Sequence, residues 1–153
     1  MKKLLMIFAL ALILIAPIHA DQSYTKNFLA TAIDVDDGDT VVDSIGFTSV
    51  VVPIGNKDPV CLLEVWFTPA AGAAVSIDFE FAISSDNGVT FSTGIGADAY
   101  IRIEVDTDVD TIDSIVKIQK ECQFHGATHV KLYRVVVNNG AGNCTAINAK
   151  ISL

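Results

Sequence analysis

Positive charge is scarce in this chain: ten Lys and Arg stand against eighteen Asp and Glu, a formal charge of −8 over 153 residues. Neutralising a phosphate backbone or an anionic bilayer takes clustered Lys or Arg, so nucleic acid and anionic membrane are poor partner classes. Catalytic signatures are missing as well. There is no Gly-x-Ser-x-Gly, no His-Glu-x-x-His and no phosphate-binding glycine loop, which removes the commoner hydrolase and nucleotide-binding classes. Carboxylates are plentiful but fall on turns or on strand positions that face water, where nothing raises a pKa for acid–base work. The reading is a non-enzyme, with a hydrolase of unknown type as a distant alternative.

No apolar run is long enough to cross a bilayer, which takes roughly 20 residues as a helix. The long run that does exist, Leu4 to Ala16, has thirteen residues, follows Lys2 and Lys3 and leads through Pro17 to Ala20. That is the anatomy of a secretory signal peptide cut after Ala20. Residues 1–20 are therefore read as a leader, and the mature protein as secreted or periplasmic with no membrane anchor. The remaining 133 residues carry 8 basic and 18 acidic side chains, a net charge of about −10 that keeps a surface soluble. That length suits one domain. It divides into an N-terminal segment, 21–39, and a β domain, 40–153.

Alternation of apolar and polar residues dominates this domain. Val75, Ile77, Phe79, Phe81 and Ile83 share one phase, and Ser76, Asp78, Glu80 and Ala82 the other. A period of two marks a strand with one dry and one wet face. The same pattern predicts strands over Cys61 to Phe67, Ala99 to Val105 and Ala146 to Leu153, with a further one over Thr48 to Val52. Asp110 to Phe124 is ambiguous, and its all-β surroundings favour a strand. In His129 to Val137 the apolar phase moves from Val130 and Leu132 to Val135 and Val137, as a β-bulge would require. Turn-forming clusters separate these runs, so the fold class is an all-β, two-sheet antiparallel sandwich.

Ser84-Ser85-Asp86-Asn87-Gly88-Val89-Thr90-Phe91 resembles the Asp-box, a turn motif on hairpins of sialidases and other secreted β proteins. Ser84, Asp86, Gly88, Thr90 and Phe91 are its structural positions: Asp86 accepts backbone N–H groups, Gly88 supplies a positive φ, and Phe91 is expected to anchor the returning strand in the core. Sialidases carry several copies and an arginine cluster; here there is one copy, and after the leader the only arginines are Arg102 and Arg134. More broadly, Gly46 to Val50, the Ser84 to Phe91 turn, Gly126 to Leu132 and the closing Ala146 to Leu153 strand resemble the galactose-binding-like, discoidin-type jelly roll. That resemblance implies a jelly-roll sandwich used for carbohydrate binding or as an accessory module of surface and particle assemblies. It further implies that the Cys61 strand lies beside His129 to Val137, which would bring Cys61 to Cys144 as a disulfide and leave Cys122 buried in the core.

Two acidic clusters, Asp34, Asp36, Asp37 and Asp39, and Asp106, Asp108, Asp110 and Asp113, raise the question of structural calcium. Both miss the EF-hand pattern and are read as solvated surface, with no cofactor expected. Cys122, His125 and His129 have a zinc-like spacing but lack a fourth ligand. The functional expectation is a structural, adhesion or assembly role through self-association or docking to a surface or particle protein. A glycan-binding alternative rests on Trp66, Tyr100 and Tyr133, which fall opposite the main apolar phase.

Overall fold

A computed structural model describes residues 24–36, 38–55, 60–69, 76–92, 101–106, 115–138 and 143–153. Ten strands run through them: β1 (Thr25–Asn27), β2 (Ile33–Val35), β3 (Thr40–Val42), β4 (Val52–Pro53), β5 (Val60–Pro69), β6 (Ser76–Ser84), β7 (Ile101–Asp106), β8 (Val116–Gln123), β9 (His129–Asn138) and β10 (Cys144–Ser152). They form two five-stranded antiparallel sheets. The first has the order β1-β10-β5-β8, with β2 also on β10; the second has β3-β9-β6-β7, with β4 also on β9. Among the described residues no helix is long and apolar enough to cross a membrane.

The alternating phases explain how the sheets meet. Cys61, Leu63, Val65 and Phe67 of β5 and Ile147, Ala149 and Ile151 of β10 are buried, as are Ile77, Phe79 and Phe81 of β6 and Val130, Leu132, Val135 and Val137 of β9. Ring contacts span the interior: Phe67 on the first sheet lies 6.2 Å from Phe79 on the second, and Phe28 lies 5.2 Å from Phe81. Such face-to-face packing is that of a β-sandwich. Each large apolar side chain removed from water contributes about 1.5–3 kcal/mol.

Two irregularities keep this pattern in register. Glu80 pairs with Arg134 but Phe81 with Leu132, so Tyr133 is the extra residue of a bulge. The phase change legible in the β9 sequence has this cause. On β10 the register slips between Thr145 and Asn148, and Ala146 takes a φ of 52°. The Asp34 carboxylate accepts the Ala146 N–H at 3.0 Å and so holds this bulge.

The sandwich begins earlier than residue 40. β1 and β2 both pair with β10, and Phe28 and Leu29 lie in the core, so much of the 21–39 segment belongs to the sandwich. The strand expected over Thr48 to Val52 shrinks to Val52–Pro53, because Ser49 instead bridges Leu29 and its hydroxyl accepts the Leu132 N–H at 3.0 Å. The leader, residues 1–20, lies outside the described residues.

Candidate functional site

The outer faces of the two sheets differ in what they do with charge. On the second sheet, Asp78, Glu80, Ala82 and Ser84 of the outward phase of β6 are buried, and Ser76 at its start is partly so. The expected wet face is therefore dry. At the two carboxylates arginines account for this: Arg102 on β7 grips Asp78 through Nε at 3.0 Å and Nη2 at 2.7 Å, and Arg134 on β9 reaches Glu80 Oε1 at 2.5 Å. Arg102 thus holds Asp78 in the two-point fork that a planar guanidinium allows, and long arginine stems shield such carboxylates from water. Lys131 pairs with Asp43 at 2.6 Å and sits 4.7 Å above the Phe91 ring.

Phe91 consequently does not enter the core. It is half-buried beneath Lys131, an outward residue of β9. The preceding turn is closed by its own side chains. Asp86 accepts the Thr90 N–H at 2.9 Å and the Thr90 hydroxyl at 2.6 Å, and the Ser84 hydroxyl, itself donating to Asp86, accepts the Gly88 N–H at 2.9 Å. Gly88 has a φ of 82°, where a side chain would be strained. These bonds hold the Asp86 carboxyl well below the ordinary carboxylate range, the Ser84 hydroxyl contributing most. The Ser84, Asp86 and Thr90 side chains are thus engaged in closing the turn.

On the first sheet a single carboxylate, Glu64 of β5, gathers Lys150 at 2.9 Å, Lys117 at 3.1 Å and the Gln119 amide at 2.6 Å. The register dictates this, since Lys150 and Gln119 lie directly opposite Glu64 on the two flanking strands. Burial by itself disfavours the Glu64 carboxylate, but the hydrogen bonds from Lys150, Gln119 and Lys117 outweigh it and hold the pKa at about 2. A carboxyl so deeply ionised has no proton to donate near neutral pH. Beside it a shallow hollow of about 270 Å³ is lined by Asn27, Glu64, Trp66, Ile115, Lys117 and Lys150. Two hollows of about 380 Å³ flank Leu29 and Ala30, and neither is lined by a carboxylate, histidine or cysteine.

The outermost strand of this sheet, β8, is the least covered long element. Six of its eight residues are exposed and only Cys122 is buried. Its inward phase also meets solvent: Ile118 is 37% exposed, and Lys120 extends to the Arg102 carbonyl of β7 at 3.0 Å, spanning the open side of the sandwich. Ile115, just before the strand, and Val60 and Leu62 on the adjoining β5 are exposed apolar side chains. The other sheet edges are short, β1 to β4 having two or three residues each, or acidic, as at Glu104 of β7. Among the described residues β8 is thus the one long edge strand with a mixed surface. The exposed middle of Ile115 to Gln123 is hard to read from sequence, since its apolar phase looks like that of any core strand.

The remaining candidate residues do not converge. Trp66 stands on β5 of the first sheet and Tyr133 on β9 of the second, so they share no face; Tyr100 lies outside the described residues. No three His, Cys, Asp or Glu side chains are grouped to hold a metal ion among the described residues. Asp34 is committed to the β10 bulge, and Asp37, Asp108, Asp110 and Asp113 are outside the described residues. Cys122 faces the core, whereas His125 is exposed in the turn before β9 and His129 Nδ1 contacts the Thr128 hydroxyl at 3.0 Å.

The expected Cys61 to Cys144 neighbourhood is not formed. β5 pairs with β10 and β8, not with β9, and Cys144 stands opposite Pro69 at the far end of β5. Eight residues of extended chain separate Pro69 from Cys61, about 26 Å at the usual rise.

No protein-family model and no curated protein matches the chain. Among solved structures it is similar to that of a Bacillus endospore appendage, from a family described as disulfide-linked pili, at 13% identity and a TM-score of 0.37, over 86% of this chain and 88% of the other. It is also similar to a structure of infectious bursal disease virus, Gt strain, at 10% identity and a TM-score of 0.35, over 87% of this chain and 33% of that one. Neither is a discoidin-type module.

Proposed function

We propose that the chain is an exported, non-catalytic structural module that assembles with copies of itself by pairing β8 edge to edge. The observation that carries this reading is the exposed, eight-residue β8 at the border of a sheet whose other border is made of three-residue strands. An uncovered edge presents a row of main-chain donors and acceptors to another strand. The leader-like sequence of residues 1–20 supports export.

The β8 sequence is self-complementary. Antiparallel pairing about a two-fold axis through Gln119 sets Lys117 opposite Glu121 of the partner subunit, and the symmetry repeats that contact. Opposite charges across a strand pair contribute roughly 0.2–1 kcal/mol each. A jelly-roll assignment is supported by the strand order. With β1 and β2 sharing one position and β3 and β4 another, successive positions alternate between sheets except for the β6–β7 pair.

Sedimentation equilibrium of the processed protein tests the reading. A concentration-dependent dimer is expected, weakened by Glu121→Lys, which sets like charges opposite each other, and recovered when Lys117→Glu is added. A monomer at every concentration would overturn it, as would a dimer that ignores the charge exchange. Saturable glycan binding lost on Trp66→Ala, without dimerisation, would favour the sugar-binding alternative.

A further inference from the structure

Cys61 and Cys122 face each other directly in the register of β5 and β8, and both side chains are buried. Opposed residues on antiparallel strands have Cα atoms about 4.5–5.5 Å apart. Disulfides span Cα separations of about 4.4–6.8 Å. Cys144, opposite Pro69, is too far along β5 to compete.

We propose that Cys61 and Cys122 form a cross-strand disulfide that fastens the edge strand β8 to β5. The bond lies inside the sandwich, behind the β8 docking edge, so it would hold β8 in place when another copy pulls on its outer side. Its oxidised state rests on the export reading, because such bonds persist in oxidising compartments. The pairing itself does not.

The oxidant is a disulfide donor, either a protein dithiol oxidase or oxidised glutathione. The Cys61 thiolate attacks the donor disulfide, forming a mixed disulfide and releasing one donor thiolate. The Cys122 thiolate then attacks the Cys61 sulfur and expels the second. Two cysteine thiols are oxidised, the donor is reduced to two thiols, and the cysteine protons pass through solvent to the released thiolates. Burial, with Cys122 adding to it, pushes the Cys61 thiol up to about 11, and burial raises Cys122 as well. The folded protein thus holds little thiolate, which places the exchange before β8 closes over the core. Cys122 Sγ gives up only a 3.7 Å contact with the Lys120 carbonyl when it turns to Cys61.

Two samples test this: the full chain recovered from an exporting host, and purified protein refolded in a glutathione redox buffer. Each is denatured without reductant, alkylated and mapped by mass spectrometry. One alkyl group per chain, on Cys144, is expected, together with a Cys61 to Cys122 cross-linked peptide, rising to three after reduction. Cys144→Ser should keep the bond, and Cys122→Ser should abolish it. Three alkyl groups on the refolded protein, or a cross-link that includes Cys144, would overturn the pairing. A bond in the refolded sample but not in the cell-derived one would uphold the pairing and sink the export reading.

Discussion

β6 and β8 are long antiparallel strands of alternating sequence, yet β6 is buried on both faces and β8 is exposed along nearly all its length. The difference is in their neighbours. β6 lies between β9 and β7, each of which supplies an arginine to its outward carboxylates. β8 has β5 on one side and no described strand on the other. Alternation therefore specifies which residues share a face, while burial depends on what the chain brings over that face.

The largest test removes the support on β6. Glu80→Ala leaves the Arg134 guanidinium, 18% exposed, without its carboxylate. Deleting one partner of a buried ion pair typically costs about 3–5 kcal/mol, and a urea melt should show that loss. A smaller effect is expected at Glu64, midway between the two extremes. Glu64→Gln should cost about 1.5–3 kcal/mol at pH 7, the range for hydrogen bonds to a charged group.

The Glu64 effect depends on pH with a defined sign. The folded pKa of about 2 lies below the ordinary 4.5, so the carboxylate stabilises the fold fully above pH 4.5. That contribution is lost as the pH falls from 4.5 towards 2. The gap between wild-type and Glu64→Gln stabilities should close over that window in acid melts. The smallest change in stability is expected on β8. Glu121→Lys should shift the monomer's unfolding free energy by less than about 0.5 kcal/mol, as at other exposed positions, while weakening the dimer seen by sedimentation.

Much of the fold was legible because it is periodic. The inward sets of β5, β6, β9 and β10 follow from spacing, and the shift from Leu132 to Val135 located the Tyr133 bulge. The candidate edge was not legible. Val116, Ile118 and Cys122 share a phase and read as core, but only Cys122 is buried, while Val116 packs at the core's margin and Ile118 meets solvent. Phe91 misled for a related reason: an aromatic after a tight turn suits a core, and here Lys131 provides an outer seat instead.

The cysteines show the same division. Their number and the phase that makes Cys61 and Cys122 inward residues are written in the chain, but which strand lies beside β5 is not. The resemblance to a discoidin-type sandwich led to β9, whereas the sheet order supplies β8 and β10. Local alternation and turn chemistry alone settled that the chain makes antiparallel strands, which residues point together and where the strands break, because those depend on backbone geometry over a few residues. Strand neighbours, the drying of Asp78 and Glu80 and the bareness of β8 were decided by tertiary structure, because each depends on residues tens of positions away being carried to one face.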